Sequence, residues 1–258
     1  MAKHFSGQRV VITGASSGIG AEMARQMAAQ GAHLVLAARR EPELMAVAEQ
    51  CQQLGGSATT VVTDVTAQEQ RRGLMESSVA AMGGIDMLVN NAGISMRQDF
   101  EHIDDLDIIG QLMSVNYFGA VHCTHYALPH LLESRGSIVV VSSLSGKTGI
   151  PGLTGYAATK FALHGFFESL RIELLGSGVT VTMACPGLVK TNLVRHGGAQ
   201  EPIRSGMSVE TCARIIVRAA GKRKREVVMT ALGKVGALAK PFVPGLIDRI
   251  ARWKVRQF

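Results

Sequence analysis

The amino-acid sequence predicts an α/β protein with one doubly wound domain, in which helices flank a seven-stranded parallel sheet. Short runs rich in β-branched residues alternate with longer helical patterns, which is typical of repeated βαβ units. A glycine-rich turn directly follows the first of these runs. With 258 residues, 47% of them hydrophobic and 18% charged, the chain can bury a core and does not resemble a disordered polymer.

Strands and helices alternate along the chain, and no linker, internal repeat or low-complexity stretch separates them. One domain is therefore predicted over residues 1–230, with a C-terminal extension over 231–258. Residues 188–206 form a long, polar, glycine-rich loop after the sixth strand, and such loops are often functional lids. The predicted strands are 9–13, 34–37, 59–63, 85–89, 137–141, 179–183 and 226–229, and the predicted helices are 20–30, 41–54, 68–82, 107–133, 157–175 and 208–220.

The glycine-rich turn after the first strand is suited to binding phosphate. Glycine adopts positive φ in a tight turn and lets the backbone approach a pyrophosphate. The helix that follows directs its unpaired N–H groups and its positive dipole end to the same place. The G-x-x-x-G-x-G spacing in this context predicts a Rossmann-type dinucleotide site rather than a merely structural turn. The candidate cofactor contacts are Thr13, Gly14, Ser16, Ser17, Gly18, Ile19 and Gly20.

The end of the second strand predicts which dinucleotide binds. An acidic residue there would accept a hydrogen bond from the ribose 2′-OH of NAD, whereas an arginine accommodates the 2′-phosphate of NADP. The sequence has Arg39 and Arg40 at this place, with no acidic residue before Glu41. A guanidinium group can bind a phosphate through two hydrogen bonds. We expect the cofactor to be NADP(H), with Arg39 as the main determinant of this preference. The alternative is that the two arginines only begin a solvent-exposed helix and bind no phosphate.

Tyr156 and Lys160 lie four residues apart, on one face of a predicted helix. A free phenol has a pKa of about 10 and is a poor base at neutral pH, but a nearby cation lowers that pKa. Ser143 lies just past the strand at 137–141 and thirteen residues before Tyr156, so a short loop could return the helix beside it. The Ser143 hydroxyl could then polarise a substrate carbonyl. The pattern predicts an acid/base site.

Three further motifs belong to the same pattern, namely Asn90–Gly93, Asn116 and Pro186–Gly187. In order and spacing, the whole set resembles the short-chain dehydrogenase/reductase family, and the resemblance covers residues 8–230. The resemblance implies that Tyr156 is the general acid/base, that Lys160 lowers its pKa and holds the nicotinamide ribose, and that Ser143 orients the carbonyl. It further implies that Asn116 supports a water through which protons reach Lys160. The remaining implied cofactor contacts are Asp64 and Val65 at the adenine, Asn91, Ala92 and Gly93 at the adenosine ribose, and Pro186, Gly187 and Thr191 at the nicotinamide amide.

Residues 137–147 and 160–167 are similar to the 11-beta-hydroxysteroid dehydrogenase type 1-like members of that family. This similarity implies an NADP-dependent oxidoreductase that interconverts a secondary alcohol with a ketone or aldehyde, with reduction of a lipophilic or steroid-like carbonyl expected. Ser17 departs from those members, which carry a basic residue for the 2′-phosphate there. The family likeness suggests a homodimer or homotetramer formed through the helices at 107–133 and 157–175. The alternative function is an NADP-binding sensor or scaffold protein without significant turnover.

Positive charge is concentrated at the C-terminus. Residues 221–258 contain 10 basic and 2 acidic residues, whereas the rest of the chain contains 17 and 18. The nearly neutral body argues against a nucleic-acid partner. An amphipathic helix is predicted from Pro244, and it either lies on an anionic membrane or packs on its own domain or on a second subunit. Its apolar stripe is Leu246, Ile247, Ile250 and Trp253, and its basic stripe is Arg249, Arg252 and Arg256.

The four cysteines are far apart and form no C-x-x-C pair, which argues against a disulfide framework and a zinc knuckle. His122, His125 and His130 fall in one predicted helix without an evident further ligand, so no metal is expected. We expect no secretory signal and no spanning helix, because the N-terminal residues lack an apolar segment and no run of 18 uncharged apolar residues occurs. The expected location is the cytoplasm, with peripheral membrane association through the C-terminal helix left open.

Overall fold

The computed structural model describes residues 4–191, 193, 195–196 and 206–255. It confirms the seven-stranded parallel sheet flanked by helices. The strands are β1 (Arg9–Thr13), β2 (His33–Ala38), β3 (Ser57–Val62), β4 (Met87–Asn90), β5 (Ser95–Met96), β6 (Ser137–Val141), β7 (Thr180–Cys185), β8 (Arg195–His196) and β9 (Glu226–Val228). The sheet has the order β3-β2-β1-β4-β6-β7-β9, and β5 pairs separately with β8, also in parallel.

The helical segments fall between these strands and after the last one. The single helix predicted at 107–133 is interrupted, because its first and second halves are joined by a π-helical turn at Ser114–Phe118. The sequence analysis also missed a short helix after β9 and the two strands β5 and β8. The α-helices are α1 (Gly18–Ala28), α2 (Glu41–Gln53), α3 (Gln68–Met82), α4 (Asp107–Met113), α5 (Gly119–Ser134), α6 (Thr154–Glu173), α7 (Val209–Gly221), α8 (Ala231–Ala239) and α9 (Pro244–Val255).

The sheet is buried on both faces, which explains why its strands are rich in apolar residues. On one face, side chains such as Met27 and Ile216 of α1 and α7 pack with α2 against the strands. On the other face, α3, α5 and α6 cover the sheet with side chains such as Leu74, Leu131 and Phe167. The two apolar layers hold the strands in place, so that their carboxyl ends form one edge.

The strand order reverses at β1, because the chain continues to β2 on one side and to β4 on the other. Such a switch point leaves a crevice outside the carboxyl ends of the two diverging strands, where open α/β sheets bind ligands. The glycine-rich turn at residues 13–20 follows β1, and Asn91–Gly93 follow β4. The fold therefore brings these two predicted cofactor segments to the same crevice.

The C-terminal extension consists of α8 and α9, and α8 contacts the sheet domain. Lys240, which follows α8, donates a hydrogen bond to the Lys147 carbonyl oxygen and places its ammonium 4.9 Å from the centre of the Phe161 ring. The domain boundary at residue 230 stays a prediction. Among the described residues, no helix is both long enough and apolar enough to cross a membrane. Three parts of the sequence predictions lie outside the described part of the chain. They are most of the predicted lid at 188–206, the residue Arg256 and the side chain of Trp253.

Candidate active site

The turn between β1 and α1 is tightly packed where the glycines occur. Gly14 has a φ of +66° and Gly18 a φ of +58°, which is the left-handed region that favours glycine. A Cβ added to Gly14 would lie 2.8 Å from the Ala92 Cα atom, and one added to Gly20 would lie 2.5 Å from the Asn91 Nδ2 atom. Side chains at these two positions would force the turn away from the segment that follows β4.

Thr13 and Asn91 join the ends of β1 and β4. The Thr13 Oγ1 atom accepts hydrogen bonds from the Asn91 and Ala92 backbone N–H groups, at 3.0 and 3.1 Å. The Asn91 side-chain amide donates to the Thr13 and Gly14 carbonyl oxygens, at 3.0 and 3.1 Å. These bonds fix the crevice walls without using the N–H groups at the start of α1.

The first turn of α1 is suited to an anion. Ser17 precedes the helix, and its side chain accepts no capping hydrogen bond from the helix backbone. The first turn also contains no acidic residue. Its backbone N–H groups and the positive end of the helix dipole therefore face the crevice, as binding of a pyrophosphate requires. Thr191 lies beside this turn, since a Cβ added to Gly18 would be 3.7 Å from the Thr191 Cγ2 atom.

Arg40, rather than Arg39, reaches the phosphate-binding turn. Its Nη2 atom donates to the Ser17 and Ser16 hydroxyl oxygens, at 2.9 and 3.2 Å, and its Nη1 atom donates to Glu43 at 2.9 Å. Arg39 is exposed, and its charge acts on Asp64 instead. Both arginines directly follow β2 and are exposed.

Asp64 and Val65 follow β3. Partial burial raises the pKa of the Asp64 carboxyl group, but hydrogen bonds from Thr66 and the positive charges of Arg39 and Arg71 outweigh that effect and lower it below its usual value. Val65 is buried, and its carbonyl oxygen accepts a 2.8 Å hydrogen bond from Arg71 Nη1. The segment is thus held rigidly, with its carboxylate ionised at neutral pH.

The proposed acid/base residues meet at the carboxyl end of β6. Tyr156 and Lys160 lie one turn apart on α6, and Ser143 follows β6. The Ser143 Oγ atom accepts a 3.1 Å hydrogen bond from the Ser145 N–H group. Ser143 also lies close enough to the Tyr156 hydroxyl to lower the pKa of the phenol. The Lys160 ammonium donates a 3.0 Å hydrogen bond to the Val141 carbonyl oxygen and lies 5.4 Å from the centre of the Tyr156 ring.

Burial shifts both titratable groups toward their uncharged forms. It raises the pKa of Tyr156 to about 12, although the hydrogen bond with Ser143 acts in the opposite direction. Burial lowers the pKa of Lys160 to about 8. That Lys160 lowers the pKa of Tyr156 stays a prediction, since burial is the largest effect on the phenol in the protein alone.

Asn116 lies in the π-helical turn between α4 and α5 and is buried. Its Oδ1 atom accepts from the Ile94 N–H group at 2.8 Å, and its Nδ2 atom donates to the Ile94 carbonyl oxygen at 2.9 Å and to Thr159 Oγ1 at 3.0 Å. Thr159 in turn donates to the Tyr156 carbonyl oxygen at 2.8 Å. Asn116 thus connects the segment after β4 to α6; its implied support of a water stays a prediction.

Pro186 and Gly187 follow β7 and lie against the loop that carries Ser143. The Pro186 carbonyl oxygen accepts a 2.9 Å hydrogen bond from the Leu144 N–H group. A Cβ added to Gly187 would lie 2.9 Å from the Thr230 Cγ2 atom, just before α8. The segment predicted to contact the nicotinamide amide therefore borders both the acid/base residues and the C-terminal extension.

Sequence reasoning did not single out a second polar cluster one helical turn beyond Lys160. There, His164 of α6 lies 3.1 Å from Ser142 Oγ and 3.7 Å from Cys185 Sγ. Glu226 and Lys147 complete the cluster and form a 2.6 Å ion pair. The spacing of four from Lys160 to His164 was the available signal, because it places both on one face of α6.

Comparison with protein families and sequences gives one consistent result. A family model described as short chain dehydrogenase matches residues 8–202. The 11-beta-hydroxysteroid dehydrogenase A of Sesamum indicum is 37% identical over an alignment that covers 96% of this chain and 75% of that protein. The hydroxysteroid 11-beta-dehydrogenase 1-like protein B of Xenopus laevis is 40% identical, with 95% of this chain and 85% of that protein covered.

Solved structures show the same fold. A short chain dehydrogenase/reductase from Burkholderia phymatum, in complex with NAD, superposes with a TM-score of 0.86 at 24% identity, covering 94% of this chain and 96% of that one. At that identity the likeness concerns the fold alone. An alcohol dehydrogenase from Thermococcus sibiricus, complexed with 5-hydroxy-NADP, superposes with a TM-score of 0.74 at 27% identity, covering 82% and 89%.

The packing of the glycine-rich turn leads to a binding prediction. Replacing Gly20 by Ala is expected to weaken binding of the nicotinamide cofactor, NADPH or NADH, by about tenfold, or about 1.4 kcal/mol, because the new methyl group displaces Asn91 and the turn. Titration of NADPH fluorescence measures the affinity, and circular dichroism checks folding. Gly73→Ala is the matched control, since a Cβ on this α3 residue meets nothing within 4 Å. Equal affinity in folded Gly20→Ala and the wild type would contradict the prediction.

Proposed function

Because the chain belongs to the short-chain dehydrogenase family, we propose that it is an NADP(H)-dependent oxidoreductase that interconverts a secondary alcohol with a ketone or an aldehyde. The observation that carries the proposal is the placement of Tyr156 beside Ser143, with the buried Lys160 ammonium 5.4 Å from the centre of the Tyr156 ring. These groups lie at the carboxyl edge of the sheet, which also holds the phosphate-binding turn. The edge therefore combines a dinucleotide crevice with an acid and a hydrogen-bond donor.

The residues of this chain supply binding and proton transfer. NADPH, when bound, supplies the hydride that reduces the carbonyl carbon. Tyr156 donates its hydroxyl proton to the carbonyl oxygen, and Ser143 donates a hydrogen bond to the same oxygen while its own oxygen accepts from Ser145. The resulting tyrosinate is stabilised by the ammonium of Lys160.

The raised pKa of Tyr156 supports reduction as the favoured direction. With a pKa of about 12, the phenol is protonated at neutral pH and can act as an acid. Oxidation of an alcohol requires the tyrosinate as a base, and that form becomes accessible only when a further positive charge, such as an oxidised nicotinamide, lowers the pKa. In the protein alone, the Tyr156 hydroxyl therefore carries the proton that it donates in the reduction.

A lipophilic, steroid-like carbonyl compound is the proposed substrate class. Ile94, Met96 and Leu112 form a buried apolar cluster against which the Tyr156 ring packs. At the rim, Leu144 packs against the start of α8, where a Cβ on Gly233 would lie 2.5 Å from the Leu144 Cδ2 atom. The partly exposed Leu144, next to Ser143, offers apolar surface to a bulky apolar substrate. The names of the relatives from Sesamum indicum and Xenopus laevis support the same class.

For the cofactor, we assign the 2′-phosphate to Arg39 and Arg40 together. Both are exposed at the end of β2, and Arg40 is already directed toward Ser16 and Ser17. A phosphate placed between the arginines and these hydroxyl groups would receive several charge-assisted hydrogen bonds. The 5-hydroxy-NADP complex of the Thermococcus sibiricus relative agrees with this choice, whereas the Burkholderia phymatum protein was solved with NAD.

The proposed assembly is a homodimer or homotetramer through the α4–α5 and α6 helices. Several large apolar side chains on these helices and on the turn between α4 and α5 are exposed in the single chain, and burying them against a second copy would be favourable. They are Phe118, Leu132, Phe161 and Ile172.

A second proposal concerns the C-terminal extension, for which we favour peripheral docking on an anionic membrane by a protein located in the cytoplasm. Its helices expose a continuous series of apolar residues beside positively charged ones, a combination that suits the surface of an anionic bilayer. The exposed apolar residues are Leu232, Val235, Leu238, Phe242, Val243, Leu246 and Ile250, and the exposed basic residues are Lys234, Arg249 and Arg252.

Removal of the Tyr156 hydroxyl tests the enzymatic proposal. Tyr156→Phe is expected to lower kcat for carbonyl reduction by about 10²- to 10⁴-fold, because the general acid is lost, while NADPH affinity is retained. The measurement is loss of NADPH absorbance with a panel of lipophilic ketones. Tyr126→Phe, on α5, is the matched control and should behave as the wild type. Tight NADPH binding with negligible turnover in both wild type and Tyr156→Phe would support the sensor alternative instead.

Cofactor preference is tested by separate replacement of the two arginines. Arg40→Gln and Arg39→Gln are each expected to raise the KM for NADPH by about 10- to 100-fold, since a charged hydrogen bond contributes about 1.5–3 kcal/mol, and to leave the KM for NADH nearly unchanged. Arg72→Gln, which affects an exposed ion pair with Glu76 on α3, is the control. A wild type that prefers NADH would overturn the assignment.

Membrane docking is tested with phosphatidylcholine vesicles that contain or lack phosphatidylserine. The wild type is expected to co-sediment with the phosphatidylserine vesicles, less so at high salt, and Leu238→Glu/Phe242→Glu is expected to remain in solution. Met45→Glu, on α2, is a control for a new charge at an exposed apolar position elsewhere. If the double variant instead changes the oligomeric state and the wild type ignores both vesicles, the extension packs against another subunit.

A further inference from the structure

Three successive turns of α6 bind three consecutive residues at the end of β6. Tyr156 lies beside Ser143, and Lys160 donates to the Val141 carbonyl oxygen. One turn further on, the His164 Nε2 atom lies 3.1 Å from the hydroxyl oxygen of Ser142. The first two contacts belong to the proposed acid/base set, whereas the third has no role in it.

The protonation of His164 follows from its surroundings. His164 is 6% exposed and Ser142 3% exposed, so their polar atoms need partners. The His164 Nδ1 atom lies 3.8 Å from the Glu226 Oε1 atom and has no hydrogen-bond partner in the described part of the chain. An Nδ1–H group facing the carboxylate leaves Nε2 free to accept from the Ser142 hydroxyl. Burial, assisted by the positive charge of Lys147, lowers the pKa of His164 to about 4, so the imidazole is neutral at physiological pH.

The imidazole is also held by packing. Gly146, in the short turn after Ser143, lies directly over the ring. A Cβ added to Gly146 would be 2.8 Å from the His164 Cδ2 atom and 3.0 Å from the Ser142 Oγ atom. The Ser142 N–H group donates to the Ala184 carbonyl oxygen at 2.8 Å. Ser142 is therefore held by its backbone on β7 and by its side chain on α6.

We propose that His164 is a positioning residue that accepts a hydrogen bond from Ser142 and thereby fixes the neighbouring Ser143 hydroxyl relative to Tyr156. The inference rests on the proposed reductase function, because the orientation of Ser143 matters through the carbonyl that it polarises. A displacement of about 1 Å at such a group can cost about a hundredfold in rate. The Glu226 carboxylate, 3.8 Å from the His164 Nδ1 atom, favours the tautomer that carries its proton on Nδ1.

A metal site is the competing explanation of the same cluster. Cys185 Sγ lies 3.7 Å from both His164 Nε2 and Glu226 Oε1, so three ligand types are close together. However, the Lys147 ammonium already pairs with the Glu226 carboxylate at 2.6 Å, and burial raises the pKa of the Cys185 thiol to about 12. A cation would have to displace the lysine and deprotonate this thiol. The positioning role requires neither change.

Three variants test the contact between His164 and Ser142. His164→Leu and Ser142→Ala are each expected to lower kcat by about tenfold with little change in the KM for NADPH, and the double variant should lose no more than either single one, because both remove the same contact. His164→Gln, which keeps an acceptor near the Nε2 position, should retain activity within about threefold of the wild type. His125→Leu, an exposed histidine on α5, is the control for a change of this type elsewhere.

A second measurement does not depend on turnover. Nitrogen-15 spectra of the histidine side chains should show His164 as the neutral Nδ1–H tautomer down to about pH 5, and Ser142→Ala should shift its Nε2 resonance. An Nε2–H tautomer, unchanged kcat in folded His164→Leu, or additive losses in the double variant would each overturn the inference. So would stoichiometric Zn²⁺ binding that Cys185→Ser abolishes and the control Cys123→Ser preserves. Inactivity of the wild type with the expected tautomer would overturn only the reductase function and leave the contact established.

Discussion

The buried ammonium group of Lys160 donates a hydrogen bond to the Val141 carbonyl oxygen, and the arrangement of the acid/base residues depends on this contact between α6 and the end of β6. The helix repeat of 3.6 residues places Tyr156 and His164 one turn to either side of Lys160. The side chains of this face therefore meet Val141, Ser142 and Ser143 in one place. Because the contacts join α6 to the last residue of β6 and to the two residues directly after it, the hydroxyl groups are held next to the rigid part of the domain.

Burial at this junction shifts the pKa values of Tyr156 and Lys160 in opposite directions, and the physical cause of both shifts is the same. Loss of hydration raises the pKa of the phenol and lowers that of the ammonium, so both uncharged forms are favoured. A phenol that keeps its proton at neutral pH is an acid, which agrees with carbonyl reduction. In the proposed reduction, Lys160 acts on Tyr156 in two ways, by positioning α6 and by stabilising the tyrosinate after proton transfer.

The crevice beside this junction is formed by close contact between the ends of β1 and β4. Thr13 and Asn91 satisfy each other's polar groups across the gap, while Gly14 and Gly20 leave room for that approach. Since these bonds are made within the protein, the N–H groups at the start of α1 stay directed to the crevice. The strand order places the acid/base residues at the same edge, on β6 next to β4.

Local pattern in the sequence determined the strands of the sheet, the phosphate-binding turn and the candidate set Ser143, Tyr156 and Lys160, because apolar periodicity and glycine spacing act over a few residues. Only the tertiary structure decided that Arg40 rather than Arg39 reaches Ser16 and Ser17, that burial raises the pKa of Tyr156, and that His164 meets Ser142. These outcomes depend on side chains far apart in the chain and on how completely water is excluded around them. Neither distance nor hydration can be read from local periodicity, since both arise when the layers pack.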